Sequence, residues 1–146
     1  MLNQYSRAEL LYGSDNMELL RGCRVAVFGI GGVGGSAVEA LARMGIGTLD
    51  LIDNDRVCLT NLNRQIFATR STIGRYKVDA ARERIADLDP EITVNTWPTF
   101  FLPENAAQFD FRQFDYVVDA IDTVTAKIQI ILQAQEAGVP VISAMG

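Results

Sequence analysis

Apolar positions along this chain fall into short β-rich runs that alternate with stretches of helical spacing. RVAVF (24–28) is one such run with a glycine cluster behind it, and it predicts a buried strand. GGSAVEALARMG (34–45) spaces its apolar residues as a helix does and stops at Gly45 and Gly47, a glycine-ended C-terminus. TLDLI (48–52) predicts the second strand, which completes a β-α-β unit of about 30 residues. After a polar segment, Val78, Ala81, Ile85 and Leu88 form one stripe of a helix running from about Tyr76 to Leu88. EITVNTW (91–97), DYVVDAI (115–121) and VPVIS (139–143) predict three further strands. TAKIQIILQAQEAG (125–138) predicts a helix ended by Gly138. Strands alternating with helices predict an α/β domain over residues 23–146, with a mainly parallel sheet and helices on both faces. Residues 1–22 predict an N-terminal helical arm, in which AELLYG and MELL are separated by the polar SDN.

The turn after the first strand sharpens this picture. GIGGVG (29–34) lies between a strand and a helix, the context that gives a G-x-G-x-x-G spacing its meaning. Gly29, Gly31, Gly32 and Gly34 permit a tight turn and close approach of backbone to phosphate, and the helix start supplies unpaired N–H groups. Asp53 ends the second strand about 20 residues further on, where a carboxylate meets ribose hydroxyls. This is a Rossmann-like arrangement for an adenine nucleotide, and it does not say which one. Gly32 beside Gly31 is unusual for a plain dehydrogenase.

LIDNDRVCLTNLNRQ (51–65) asks for more than a dinucleotide. Asn61, Arg64 and, after STIGRYK, Lys77 lie beyond the glycine turn that already satisfies a pyrophosphate. Two cations and an amide there imply a third phosphate, or charge developing in phosphoryl chemistry. A triphosphate also calls for Mg²⁺ on one or two carboxylates. Asp122, just past the fourth strand, can supply one; Asp119 belongs to the strand itself. Each residue has a plainer alternative: Asp122 as the N-cap of the next helix, Arg64 in a surface salt bridge, Lys77 as a solvated helix start.

Composition narrows the chemistry. The chain has no His, so the commonest general base is missing, and Cys23 and Cys58 form no CxxC pair that would suggest zinc or a disulfide framework. Cys58 reads as a packed loop residue rather than a nucleophile. A net charge of −5 argues against binding nucleic acid by bulk electrostatics. The charge is uneven, however: Arg56, Arg64, Arg70, Arg75, Lys77, Arg82 and Arg84 face only Asp79 and Glu83 between residues 56 and 84, which fits a local anion site. With no apolar run of about eighteen residues and no signal-peptide pattern, the expectation is a soluble, cytoplasmic protein without a membrane span. The chain stops at SAMG, past a strand end where the next loop of such a fold begins, so a fragment of a longer protein is expected.

GIGGVG, the D-x-D of Asp53 and Asp55, TNLNRQ, STIGRYK and DAIDT, in that order, resemble the ThiF/MoeB family of ubiquitin-activating-like enzymes over residues 5–146. These enzymes adenylate carboxylates with ATP. The resemblance implies that Gly32 approaches the phosphates and that Asp53 holds the ribose. It further implies that Asn61, Arg64 and Lys77 bind phosphates and that Asp122 holds Mg²⁺. Arg7 aligns with the arm arginine that reaches the active site of the other protomer, so the implied assembly is a homodimer. Arg7, Arg64, Lys77 and Asp122 are the implied catalytic set. Within the family, SRAELLYGSDNMELL, GIGTLDLIDNDRVCLTNLNRQI and SAMG most resemble the tRNA threonylcarbamoyladenosine dehydratases, which activate and then cyclise a modified adenosine. That subgroup implies tRNA as a partner, held mainly by a C-terminal half beyond residue 146. Three other readings stay open: adenylation of a ubiquitin-like sulfur carrier with sulfur-transfer partners, an NAD-dependent oxidoreductase, and an inactive scaffold subunit.

Overall fold

Every strand pair in the computed structural model, described over residues 1–145, is parallel. The strands are β1 (Arg24–Phe28), β2 (Thr48–Ile52), β3 (Thr93–Trp97), β4 (Tyr116–Asp119) and β5 (Val141–Ser143). Their order across the sheet is β3-β2-β1-β4-β5, so the direction of winding reverses between β1 and β4. Gly146, at the end of the SAMG stretch, lies outside the described residues.

Alternation along β1 shows how the sheet is covered. Val25 and Val27 join a buried cluster with Val38 and Ala42 of α3 (Gly32–Arg43) and with Val78, Ala81 and Ile85 of α4 (Lys77–Leu88). Ala26 and Phe28 face the other way, toward Ala126, Ile130 and Ala134 of α5 (Val124–Ala137). Helices therefore cover both faces. No α-helix connects β3 to β4, and the sequence pattern gave no element for residues 98–114. An aromatic cluster fills that space instead. Phe101, Phe109 and Phe111 pack on Phe28 at centroid distances of 4.9, 5.9 and 5.5 Å.

The arm is α1 (Ser6–Tyr12) and α2 (Ser14–Arg21), and it breaks at Gly13, not at SDN. Gly13 adopts φ 82° and serves as the C-cap of one helix and the N-cap of the next, while Ser14, Asp15 and Asn16 form the first turn of α2. Polar residues favour a helix start as readily as a gap. Two glycines let the arm lie against the domain. Gly45 closes α3 in a Schellman motif, with Ile46 N–H bonded to the Leu41 carbonyl, and faces the buried Tyr5 ring. A Cβ on Gly47 would stand 1.8 Å from the Arg21 carbonyl oxygen. The Tyr5 hydroxyl donates to Asp89; burial and that bond push it up to about 12.

Glu39 of α3 ties the two helices of one face. It is buried and accepts from Arg84 of α4 at 2.8 and 3.0 Å and from Arg43 at 3.0 Å. The Arg84 bonds hold its carboxyl below the ordinary 4.5. A depressed carboxylate stabilises the fold above its unfolded value, and that contribution is lost as pH falls through the folded one. Both arginines are half exposed, so Glu39→Gln is expected to cost about 1 kcal/mol at pH 7. The variant should then lose less further stability than the parent below about pH 4.5, as urea midpoints across the acid range will report.

Candidate functional site

A cavity of about 410 Å³ opens at the carboxyl ends of β1, β2 and β4, where the strand order reverses. The glycine turn forms its floor. Gly29 has φ 90°, and a Cβ there would meet the Ala120 carbonyl oxygen at 2.6 Å; one on Gly34 would meet the Gly29 oxygen at 1.6 Å. These two glycines make the turn possible, and Gly34 stands behind it rather than in the cavity. Gly31 and Gly32 line the cavity, and a Cβ on either would find only ordinary contacts, with Gln65 and Arg64. α3 begins at Gly32, two residues earlier than the apolar pattern indicates, with Gly31 as N-cap. Its first amides lack intrahelical partners, which makes this helix start suited to an anion.

Asp53 braces the turn as well as lining the cavity. One carboxylate oxygen accepts the Ile30 amide and the other the Asp55 amide, each at 2.7 Å. Burial pushes its pKa up, and the two amides oppose that shift. Each oxygen keeps a lone pair for a further donor.

Lys77 is no solvated helix start. It is 6% exposed at the first position of α4, and its Nζ lies 3.3 Å from Asp55 Oδ2. Asp55 is 64% exposed in its side chain, so the pair has one fixed member and one free to turn outward. Arg64 is exposed and forms no salt bridge with any described residue; its Nη1 donates to the Thr60 carbonyl and to Asn63 Oδ1, each at 3.0 Å. Asn61 caps the short turn Leu59–Asn61 by accepting the Cys58 amide through Oδ1. Asp122 is exposed at the cavity edge and forms no hydrogen bond or ion pair with a described residue. The N-cap of α5 is Thr123, so the capping alternative for Asp122 does not hold.

Gly29, Gly31, Gly32, Asp53, Asp55, Asn61, Arg64, Lys77 and Asp122 thus share one cavity. Arg7 does not: it lies exposed on α1, away from the lining. Among the described residues no three or more Cys, Asp or Glu side chains gather into a metal cluster. A lone carboxylate at the cavity edge suits Mg²⁺ that is held mostly by phosphate and water. Cys58, expected to be packed, is exposed; its thiol contacts Thr60 Oγ1 at 3.1 Å, which lowers its pKa. The sequence reading left one wall of the cavity unassigned. Thr99, Phe100 and Phe101, after β3, line it with Gln65 and Ile121. The apolar pair within PTFFLP, close behind a strand end, was the available signal.

The strand order and the glycine-floored cavity at its reversal define a Rossmann-like α/β domain. Residues 5–146 match the ThiF family, and the chain belongs to it. It is 46% identical over its full length to the tRNA threonylcarbamoyladenosine dehydratase of Bacillus subtilis, covering 58% of that protein. The crystal structure of the E. coli tRNA N6-threonylcarbamoyladenosine dehydratase in complex with ATP superposes with a TM-score of 0.93 at 41% identity. That match covers 96% of this chain and 58% of the other. The adenylyltransferase and sulfurtransferase UBA4 of Vanderwaltozyma polyspora is 38% identical over 92% of this chain, which spans 30% of it. The chain spans just over half the length of the dehydratases it matches.

Proposed function

We propose that this chain is the nucleotide-binding part of an ATP-dependent adenylating enzyme of the tRNA threonylcarbamoyladenosine dehydratase type. One observation carries the reading: a buried lysine and an arginine with no acidic partner among the described residues join the glycine turn and the exposed Asp122 carboxylate in a single cavity. A dinucleotide leaves both cations unused, whereas a triphosphate occupies them. The similarity to dehydratases, one of them solved with ATP, supports the same nucleotide here.

In this reading the substrate carboxylate attacks the α-phosphorus of ATP, forming an acyl-phosphate anhydride as the α–β bridge bond breaks and pyrophosphate leaves. Cyclisation of the activated group then expels AMP. The chain's contribution is alignment and charge neutralisation. Phe100, Phe101 and Ile121 wall the adenosine, Asp53 takes the ribose hydroxyls on its free lone pairs, and the start of α3 receives phosphate. Asn61, Arg64 and Lys77 neutralise the charge that grows on the leaving pyrophosphate. Asp122 would hold Mg²⁺, which screens the phosphates when bound. Arg7, remote from the cavity of its own chain, fits a role in the site of a partner protomer, so the active species is a homodimer.

Net charge of −5 leaves little general attraction for tRNA, so its affinity should come mainly from the part of a longer protein that the relatives have and from the dimer. These 146 residues alone are expected to bind ATP weakly and turn over nothing. No helix of the described residues is long and apolar enough to cross a membrane, and a reaction on tRNA would fit the cytoplasm. Nucleoside analysis of tRNA from a deletion strain tests the substrate. The cyclic threonylcarbamoyladenosine should vanish and return on complementation. Its persistence at normal levels, with no second copy of the gene, would exclude the dehydratase. ATP–pyrophosphate exchange driven instead by a carrier-protein C-terminus would favour the sulfur-carrier alternative, to which the UBA4 similarity points.

A further inference from the structure

We infer that Lys127 and Asp119 act as positioning residues: their buried ion pair fixes the loop that presents Asp122 to the cavity. The role for Asp122 rests on the adenylation reading, whereas the tie itself rests on contacts in the fold. Asp119 is the last residue of β4 and is fully buried, and Lys127 of α5 is 8% exposed. A buried pair of this kind is a poor route to stability, because desolvation offsets most of the attraction. Its partners give it another use.

Lys127 Nζ donates to Asp119 Oδ2 at 3.1 Å and to the Ala144 carbonyl just past β5 at 2.5 Å. Ser143 Oγ donates to the same Asp119 oxygen at 2.6 Å. The other oxygen, Oδ1, accepts the Ile121 amide at 3.2 Å. One carboxylate therefore links α5, the end of β5 and the loop Ala120–Asp122. That loop is seated on the glycine turn, where the place of a Gly29 Cβ is already taken by the Ala120 carbonyl. Asp122 itself has no bond to a described residue, so its placement depends on the backbone on either side, Ile121 before it and Thr123 at the start of α5 after it. Moving Ile121 moves Asp122 relative to the phosphate floor.

Lys127→Met alone strands a buried carboxylate and can unfold the chain, so the test uses Asp119→Asn/Lys127→Met, which leaves no unpaired charge. Two readouts are taken on the longer protein of which this chain is proposed to be the nucleotide-binding part. Amide hydrogen exchange should speed up at least tenfold at Ile121, whose N–H is held by Asp119, with β1 and α3 unchanged. Unchanged protection of Ile121 overturns the tie. Calorimetry with ATP across a Mg²⁺ series should show the Mg²⁺ concentration for half-saturation rising at least fivefold, while Mg²⁺-free ATP affinity stays within twofold. A loop that loosens without moving the Mg²⁺ dependence overturns the positioning role, and so does an equal loss with and without Mg²⁺. If that longer parent protein binds no ATP at all, the adenylation reading fails, and the exchange result still decides the tie.

Discussion

Lys77→Met is expected to weaken ATP binding roughly ten- to hundredfold while leaving the melting temperature nearly unchanged. The loss corresponds to charge-assisted contacts of about 1.5–3 kcal/mol with a phosphate. The fold should tolerate the change because of how the pair is built. Lys77 is buried, so Met of similar length takes the place of its stem, and the charge left behind on Asp55 is largely in water. Asp53 also loses a nearby cation but keeps its two amide donors, so no carboxylate is left without a partner, in contrast to the usual outcome of breaking an interior pair. Lys77 is paired with Asp55 at 3.3 Å, and an incoming phosphate should take over that neutralisation while the exposed Asp55 turns outward. NAD should lose much less on the same substitution, since its pyrophosphate is met by the glycine turn. Calorimetry with both nucleotides is the check. ATP affinity equal to the parent's would remove Lys77 from the phosphate set, and a larger loss for NAD than for ATP would reverse the choice of nucleotide.

Much of the scaffold around that lysine could be read from local pattern. β1, β2 and β4 are central strands whose runs are apolar apart from Arg24, Thr48, Asp50 and Asp119, and their ends fall within two residues of the pattern. α5 ends where Gly138 takes the left-handed φ of 70°, a local requirement visible as a local residue. What escaped the pattern depends on distant partners. Segment 98–114 is held by rings packing on Phe28, more than seventy positions away, and nothing in its own spacing announces that. The burial of Lys77 requires Asp55, 22 positions earlier, to arrive beside it, so its helix-start position alone could not tell buried from solvated. Asp122 and Thr123 are both good capping residues, and only the backbone decides between them. The glycine cradle and its acid were legible because their chemistry demands fixed spacing. The aromatic wall opposite demands only shape, and sequence carries shape poorly.

The largest loss of stability is expected toward the amino ends of the central strands, from Arg24→Met. Asp50 sits in the middle of β2 with no exposure to solvent. Its Oδ2 accepts Arg24 Nε at 2.7 Å, and its Oδ1 accepts Arg24 Nη2 at 2.9 Å and Trp97 Nε1 at 3.2 Å. Arg24 opens β1 and spans outward, bonding Gln113 Oε1 at 3.0 Å and lying over the Phe114 ring at 5.4 Å. Methionine in its place leaves the Asp50 carboxylate in the core with one indole donor, at a cost of about 3–5 kcal/mol. Domains of this size have only about 5–15 kcal/mol in total, so a urea midpoint should fall by about a fifth or more. Arg24→Met/Asp50→Leu removes the stranded charge and should recover most of the loss, since an apolar pair of similar volume replaces the ions. Arg24 lies at the amino end of its strand and the cavity at the carboxyl ends, so nucleotide affinity of the folded population should stay that of the parent. A single variant within 1 kcal/mol of the parent would mean that water reaches Asp50 and that the pair holds nothing together. A double variant no more stable than the single would place the loss in packing over Phe114 instead of in the buried charge.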